Sequence, residues 1–210
     1  MKKTMLGMTF LLLFPSGQFA IDFDVGIFYG SRTVNDSDIK NIYGNGTVYF
    51  PYLAIIVGKG IIIGGGYEGG YSKDGKIGLY NESTSLKVTG IEFFIGYQLK
   101  IKIVSPYIKI GYGSFSYKQT VDSPYVGEYK VDHKKTTMII GGGLKFYPIK
   151  NLFLAVEIKF VPLKVKPYEY EVDLGGLRYS GGIGYTLKFW EKRTKSGNIP
   201  CFRSKWKNRS

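Results

Sequence analysis

Hydrophobic and polar residues alternate along most of this chain with a period of two. Ile21, Phe23, Val25, Ile27 and Tyr29 share one face, and Asp22, Asp24 and Gly26 share the other. Ile61, Ile63, Tyr67 and Tyr71 stand against Gly64, Gly66, Glu68 and Gly70, and Leu154, Val156, Ile158 and Phe160 against Ala155, Glu157 and Lys159. The last such run sets Tyr179, Ile183, Tyr185, Leu187 and Phe189 opposite Arg178, Ser180, Gly182, Gly184, Thr186 and Lys188. Period two over this length predicts strands. Less regular runs near Thr47–Gly58, Ser85–Leu99, Pro106–Tyr117 and Thr136–Tyr147 bring the expected number of strands to eight. Pro51 weakens the second, and Gly90 is expected to mark a bulge where the fourth changes face.

The connections carry the topology. Ser31–Gly46, Lys73–Thr84, Lys118–Lys135 and Leu163–Gly175 are long and polar, whereas Lys59–Gly60, Lys100–Ser105 and Pro148–Asn151 are short. Strict alternation of long and short fits an antiparallel up-and-down meander with both termini on the short-turn side. Transmembrane β-barrels show this asymmetry, with short periplasmic turns and longer outer loops. A strand of ~12 residues rising ~3.3 Å each at a ~40° tilt spans about 30 Å, enough for the ~25 Å apolar band of such a barrel. In the fourth long connection, a turn at Pro167-Tyr168 would set Lys166 against Glu169 and Lys164 against Glu171, a charged hairpin beyond the membrane.

Residues 1–20 read as a secretory signal peptide. Lys2 and Lys3 precede an apolar stretch, Met5–Phe14, and cleavage falls after Ala20 or, alternatively, after Gly17. The stretch is too short to cross a bilayer as a helix, and every other apolar run is broken by Gly, Pro or charge before 18 residues. The 29 basic and 16 acidic residues suggest a nucleic-acid partner until their distribution is considered. Two lysines precede Ile21, and seven basic residues follow Phe189 against one acid, Glu191. The body between carries 20 basic and 15 acidic residues, an ordinary balance that calls for no nucleic acid. The single cysteine, Cys201, excludes an intrachain disulfide framework and a Cys-rich metal site.

Ile21–Phe189 resembles the OmpA-like, OmpX-like and OmpW-like eight-stranded outer-membrane barrels. The resemblance rests on the alternating Phe/Val/Gly opening strand, on Ser105-Pro-Tyr-Ile-Lys-Ile-Gly-Tyr-Gly113, and on Gly182-Ile-Gly-Tyr-Thr-Leu-Lys-Phe189. The last matches the terminal pattern that the barrel-assembly machinery reads in such proteins, with Gly184, Leu187 and Phe189 at its fixed positions. The resemblance implies an all-β, eight-stranded antiparallel transmembrane barrel over residues 21–189 in the outer membrane. Its implied partners are outer-membrane lipid and lipopolysaccharide, with no cofactor, and a monomer is expected. In the family the final Phe usually ends the chain; here Trp190–Ser210 follow. This basic tail is expected to be disordered, as a periplasmic extension or the by-product of a displaced stop codon.

The lumen of an eight-stranded barrel is just wide enough for side chains to fill. The positions expected to point inward include Glu68, Glu92, Lys109, Lys145, Glu157, Lys159, Arg178 and Lys188, and charges confined there must pair. A salt-bridge network filling the lumen is favoured over a proton or ion relay. Tyr29, Tyr71, Tyr97, Tyr107, Tyr117, Tyr147 and Tyr179 suit membrane-interface girdles. His133, the one histidine, falls toward the outer end of the sixth strand beside Asp132. It admits a lipid-modifying activity, but adjacent strand residues face opposite ways and a solvated surface histidine is the simpler reading. The glycine runs at 64–66 and 141–143 lack the helix and Lys-Ser/Thr of a phosphate loop. The favoured function is a non-enzymatic membrane barrel serving envelope integrity or surface interaction through four outer loops. The alternatives are a lipid-modifying enzyme using His133 and a soluble periplasmic ligand-binding barrel, whose alternation would run the other way, apolar side inward.

Overall fold

The computed structural model describes residues 20–166 and 171–189. The signal segment, the tail from Trp190 and the expected turn at Pro167-Tyr168 lie outside these residues. Eight antiparallel strands close into a barrel. They are β1 (Ile21–Arg32), β2 (Gly46–Val57), β3 (Ile61–Ile77), β4 (Glu82–Gln98), β5 (Val104–Ser123), β6 (Gly127–Ile149), β7 (Leu152–Val161) and β10 (Gly176–Lys188). A two-stranded hairpin, β8 (Lys164–Val165) with β9 (Val172–Asp173), fills the last long connection. The first and last barrel strands meet in continuous register from Asp22↔Lys188 to Arg32↔Arg178.

Burial settles which face is which. On β7, Phe153, Ala155, Glu157, Lys159 and Val161 are buried, while Leu154, Val156, Ile158 and Phe160 are exposed. The same inversion holds around the ring: Phe93 and Ile108 are each 69% exposed, while Glu92 is 0% exposed. An apolar exterior around a charged interior suits lipid, where Arg or Lys at mid-membrane would cost ~2–4 kcal/mol. A soluble barrel needs the reverse arrangement, so the soluble periplasmic alternative is excluded.

Several expected details are corrected. Gly90 does not turn β4 over, because its even-numbered residues from Thr84 to Phe94 stay buried on one face. Gly90 instead leaves room for the ring of Phe115. The bulge lies on β3, where Gly69 and Gly70 together oppose Thr89 and Gly70 takes a φ of 94°. That extra residue sends Tyr71 inward. Tyr107 and Tyr117 are buried too, and Tyr147 packs against the core, so these four leave the expected girdle. Tyr29, Tyr97 and Tyr179 remain exposed, joined by Tyr49, Tyr67, Tyr112 and Tyr185. Pro51 does not interrupt β2 along β1, but the pairing with β3 lapses at Phe50 and Pro51, beside a residue with no N–H to donate.

The expected long loops are largely strand. β3 and β4 continue to a turn at residues 78–81, and β5 and β6 to one at 124–126. Strands of 17 to 23 residues therefore extend well above the ~12 needed to cross. The first long connection folds a short helix, α1 (Ser37–Tyr43). Asp36 caps it, accepting from the N–H groups of Asp38 (3.0 Å) and Ile39 (3.1 Å). Ile39 and Tyr43 bury against the extended sheet, and Tyr43 hydrogen-bonds Thr84 at 2.8 Å. With Val34, Leu163 and Leu174, these residues close the outer mouth by apolar packing.

Candidate functional site

Inward side chains from facing strands meet in three tiers of charge. In the outermost, Lys159 donates to Glu68 (3.1 Å) and to both oxygens of Glu92 (2.7 and 2.8 Å). Arg178 pairs with Glu68 and reaches Glu92 at 3.4 Å, and Arg32 lies 3.9 Å from Glu68 while donating to the Leu174 carbonyl at 2.6 Å. Below it, Lys109 lies 2.7 Å from Glu157, which also accepts from the Tyr107 hydroxyl at 2.7 Å. Nearest the short turns, Lys145 pairs with Asp24 and donates to Gln98 at 3.2 Å, and Thr186 donates to Asp24 at 2.7 Å. Aromatic rings insulate the tiers. The Lys109 ammonium stands 4.6 Å from the centre of the Phe94 ring, and that of Lys159 stands 4.3 Å from the centre of Phe50.

Five buried cations (Arg32, Lys109, Lys145, Lys159, Arg178) share these tiers with four buried carboxylates (Asp24, Glu68, Glu92, Glu157), while a fifth buried carboxylate, Asp22, pairs with Lys100 at the short-turn rim. Charges of both signs are interleaved through the tiers, so most of each charge is offset locally by a partner. The cavity bounded by Phe28, Phe50, Glu157 and Arg178 measures about 10 Å³, room for no more than one water. At this level the inward side chains form a packed core.

Of the residues expected there, Glu68, Glu92, Lys109, Lys145, Glu157, Lys159 and Arg178 come together. Lys188 does not. It keeps its inward parity opposite Asp22, but it is the last residue of β10, below the lowest tier, and is exposed at the open mouth. The sequence reading leaves out Asp22, Asp24 and Arg32. Asp24 carried the signal of inward parity with Asp22. Arg32 continues the same parity, but β1 runs past the point where its apolar alternation ends.

A second site lies outside the membrane. β6 pairs with β5 as far as Gly127 but with β7 only from Ile140 to Ile149, so residues 127–139 stand above the barrel with one neighbour. The β8–β9 hairpin approaches their open side, and the Thr137 hydroxyl donates to the Pro162 carbonyl at 2.5 Å. The cleft between is about 470 Å³ and is lined by His133, Lys134, Lys135, Lys164, Lys166 and Glu171. Glu171 accepts from Lys164 at 2.8 Å and lies 3.7 Å from Lys166. The Lys164 hydrogen bond holds Glu171 below the usual carboxylate range, and the same bond raises Lys164. Both groups are solvent-exposed, so the pair adds little to stability. The expected Lys166–Glu169 pair lies outside the described residues. Four lysines against one carboxylate among the described lining residues leave this cleft strongly positive. His133 is exposed within it, and its neighbour Asp132 is engaged by Lys118 (3.2 Å) and Ser116 (3.4 Å).

No family model and no curated protein matches the chain. Solved structures do. One is Ail, the attachment invasion locus protein of Yersinia pestis, in complex with the heparin analogue sucrose octasulfate. It aligns with a TM-score of 0.53 at 16% identity, covering 81% of this chain and 100% of that one. A further Ail structure gives 0.50 at 15% identity over the same shares. This chain folds as a small outer-membrane β-barrel. The N-terminal barrel domain of Pseudomonas aeruginosa OprF is also similar, with a TM-score of 0.47 at 14% identity, 83% of this chain and 100% of that domain. At such identities the likeness concerns the fold, and function has to be argued from the side chains.

Proposed function

We propose that this protein is a non-enzymatic, monomeric outer-membrane barrel whose outer face binds sulfated or phosphorylated saccharides. Through them it would serve envelope integrity or surface interaction. The observation that carries the reading is the cleft at His133, Lys134, Lys135, Lys164 and Lys166, above a lumen packed with side chains. Lysines supplied to one cleft by two elements suit an anionic polymer, because they neutralise several charges at once without demanding one geometry. Lipopolysaccharide phosphates are the partner within the envelope. Sulfated glycans are the partner outside it, a class that the Ail structure holds as sucrose octasulfate.

The test is retention of the detergent-solubilised protein on immobilised heparin and on lipopolysaccharide across a salt gradient. Lys134→Gln/Lys135→Gln/Lys164→Gln/Lys166→Gln is expected to elute at markedly lower salt from both, with an unchanged heat-modifiable band. Equal elution of variant and parent would reject the cleft. A lipid A mass spectrum that changes on expression, and no longer changes with His133→Ala, would instead establish the lipid-modifying alternative.

A further inference from the structure

The opposite mouth of the barrel carries a second positive cleft of different construction. The short-turn side holds a cavity of about 410 Å³. Four lysines line it: Lys100 and Lys102 from the β4–β5 turn, Lys150 from the β6–β7 turn and Lys188 from the end of β10. Asp22 is the carboxylate on its wall, and Lys100 already holds it at 2.6 Å. Lys102, Lys150 and Lys188 face no carboxylate within ion-pair distance among the described residues. Deeper in the cleft, Gln98, Ser105 and Thr186 are buried and neutral. The excess of positive charge is thus concentrated at the rim, above an uncharged, hydrogen-bonding floor.

The rim is also apolar. Leu99, Ile101 and Ile103 alternate with Lys100 and Lys102, and Ile149 adjoins Lys150; all four apolar side chains are at least half exposed. Reciprocal backbone bonds between Ile101 and Val104 (3.0 and 2.7 Å) close the turn tightly, with Lys102 at a φ of 44°. A soluble anion would account for the lysines but not for isoleucines exposed around them. An amphiphile accounts for both.

We infer that this mouth binds the head group of an anionic phospholipid of the periplasmic leaflet. Lys102, Lys150 and Lys188 would receive the phosphate, with Ile101, Ile103 and Ile149 against the upper acyl chains. The inference rests on the membrane-barrel reading but is independent of the outer cleft. The level is right, because Tyr97, Tyr185 and Phe189 ring the exterior at the same end of the barrel and such aromatic girdles sit at head-group depth. Basic residues near a membrane surface attract anionic lipid, each by about a fivefold gain in binding.

The test is native mass spectrometry of the full chain in detergent, with phosphatidylglycerol and phosphatidylcholine of identical acyl chains. The parent is expected to retain phosphatidylglycerol preferentially, by about tenfold or more. Lys102→Asn/Lys150→Gln/Lys188→Gln should bring the preference to near parity; Asn is chosen at 102 because it tolerates positive φ. Ile101→Ser/Ile149→Ser should reduce retention of both lipids. Lys134→Gln/Lys135→Gln should leave the preference intact, so failure here and failure of the outer cleft are separable. Equal retention of the two lipids by the parent overturns the inference, as does an undiminished preference in the triple variant. Displacement of phosphatidylglycerol by millimolar inorganic phosphate also overturns it, since the ligand would then be a soluble anion. If the triple variant loses its heat-modifiable band, Lys102→Asn alone decides, with an expected loss of about fivefold.

Discussion

At Lys109 and Glu157 the energetics of the lumen can be isolated in one pair. Their charged atoms are 2.7 Å apart, both side chains are almost fully buried, and Phe28, Phe50 and Phe94 lie within reach of the ammonium. In such surroundings the attraction is strong, but so is the cost of having removed both charges from water. Deleting one partner strands the other. Lys109→Met alone, or Glu157→Leu alone, is therefore expected to lower the unfolding free energy by about 3–5 kcal/mol. The double variant Lys109→Met/Glu157→Leu should recover most of that loss. Urea unfolding in lipid vesicles measures all three. A double variant as damaged as the sum of the singles would mean that Tyr107, which shares the Glu157 oxygen, needs the carboxylate more than the lysine does.

Among the elements, β3 shows how one residue redirects a strand. Gly69 and Gly70 opposite Thr89 advance the chain by one position. Tyr71, outward by simple alternation, turns inward, stacks under Arg32 at 5.0 Å and donates to the Gly44 carbonyl at 3.1 Å. The bulge thereby ties the barrel to the loop carrying α1. Gly70→Ala is expected to cost about 1–3 kcal/mol, because alanine is strained at φ 94°. It should also raise hydrogen exchange across residues 36–44, and a change confined to overall stability would refute that coupling. The same strand marks the limit of what the sequence disclosed. The strands are legible in period-two parity and their order in the alternation of long and short connections; the parity of β3, β7 and β10 puts Glu68, Glu157, Lys159 and Arg178 on the face opposite the apolar one, which a membrane address turns inward. Tyr71 leaves the expected girdle because the bulge reverses its parity, and Tyr107, Tyr117 and Tyr147 leave it because tyrosine suits both an interface and a lumen, so its identity does not choose a face. Gly90 reads as the bulge in place of Gly70 because glycine marks both a bulge and a gap for a neighbouring ring. The two basic clefts were invisible because each gathers lysines from turns and overhangs separated by tens of residues.

At the scale of the whole molecule, the barrel closes where the last strand meets the first, and Phe189 lies at the end of that seam. Phe189 is 67% exposed on the lipid side, its N–H donates to the Ile21 carbonyl at 3.1 Å, and its ring meets that of Phe23 edge-on at 4.9 Å. Leu187 stands on the same face two residues earlier. Gly184 acts differently: a side chain there would collide with the ring of Phe153, so this glycine lets an aromatic fill the lumen. The three residues expected to form the assembly signal thus divide into two that present apolar surface to lipid at the seam and one that permits the interior to pack. Phe189→Ala is expected to lower the heat-modifiable fraction in cells, measured by unheated gel mobility, because the seam contact is lost together with the aromatic end of the proposed assembly signal. Removing Trp190–Ser210, with its seven basic residues and one acid, should leave that fraction unchanged or higher. The tail adds charge without a run of apolar residues to bury, and among the described residues the seam is closed by β1 and β10 up to Phe189. Loss of the folded band on tail removal, with Phe189→Ala unaffected, would place the end of the barrel beyond residue 189.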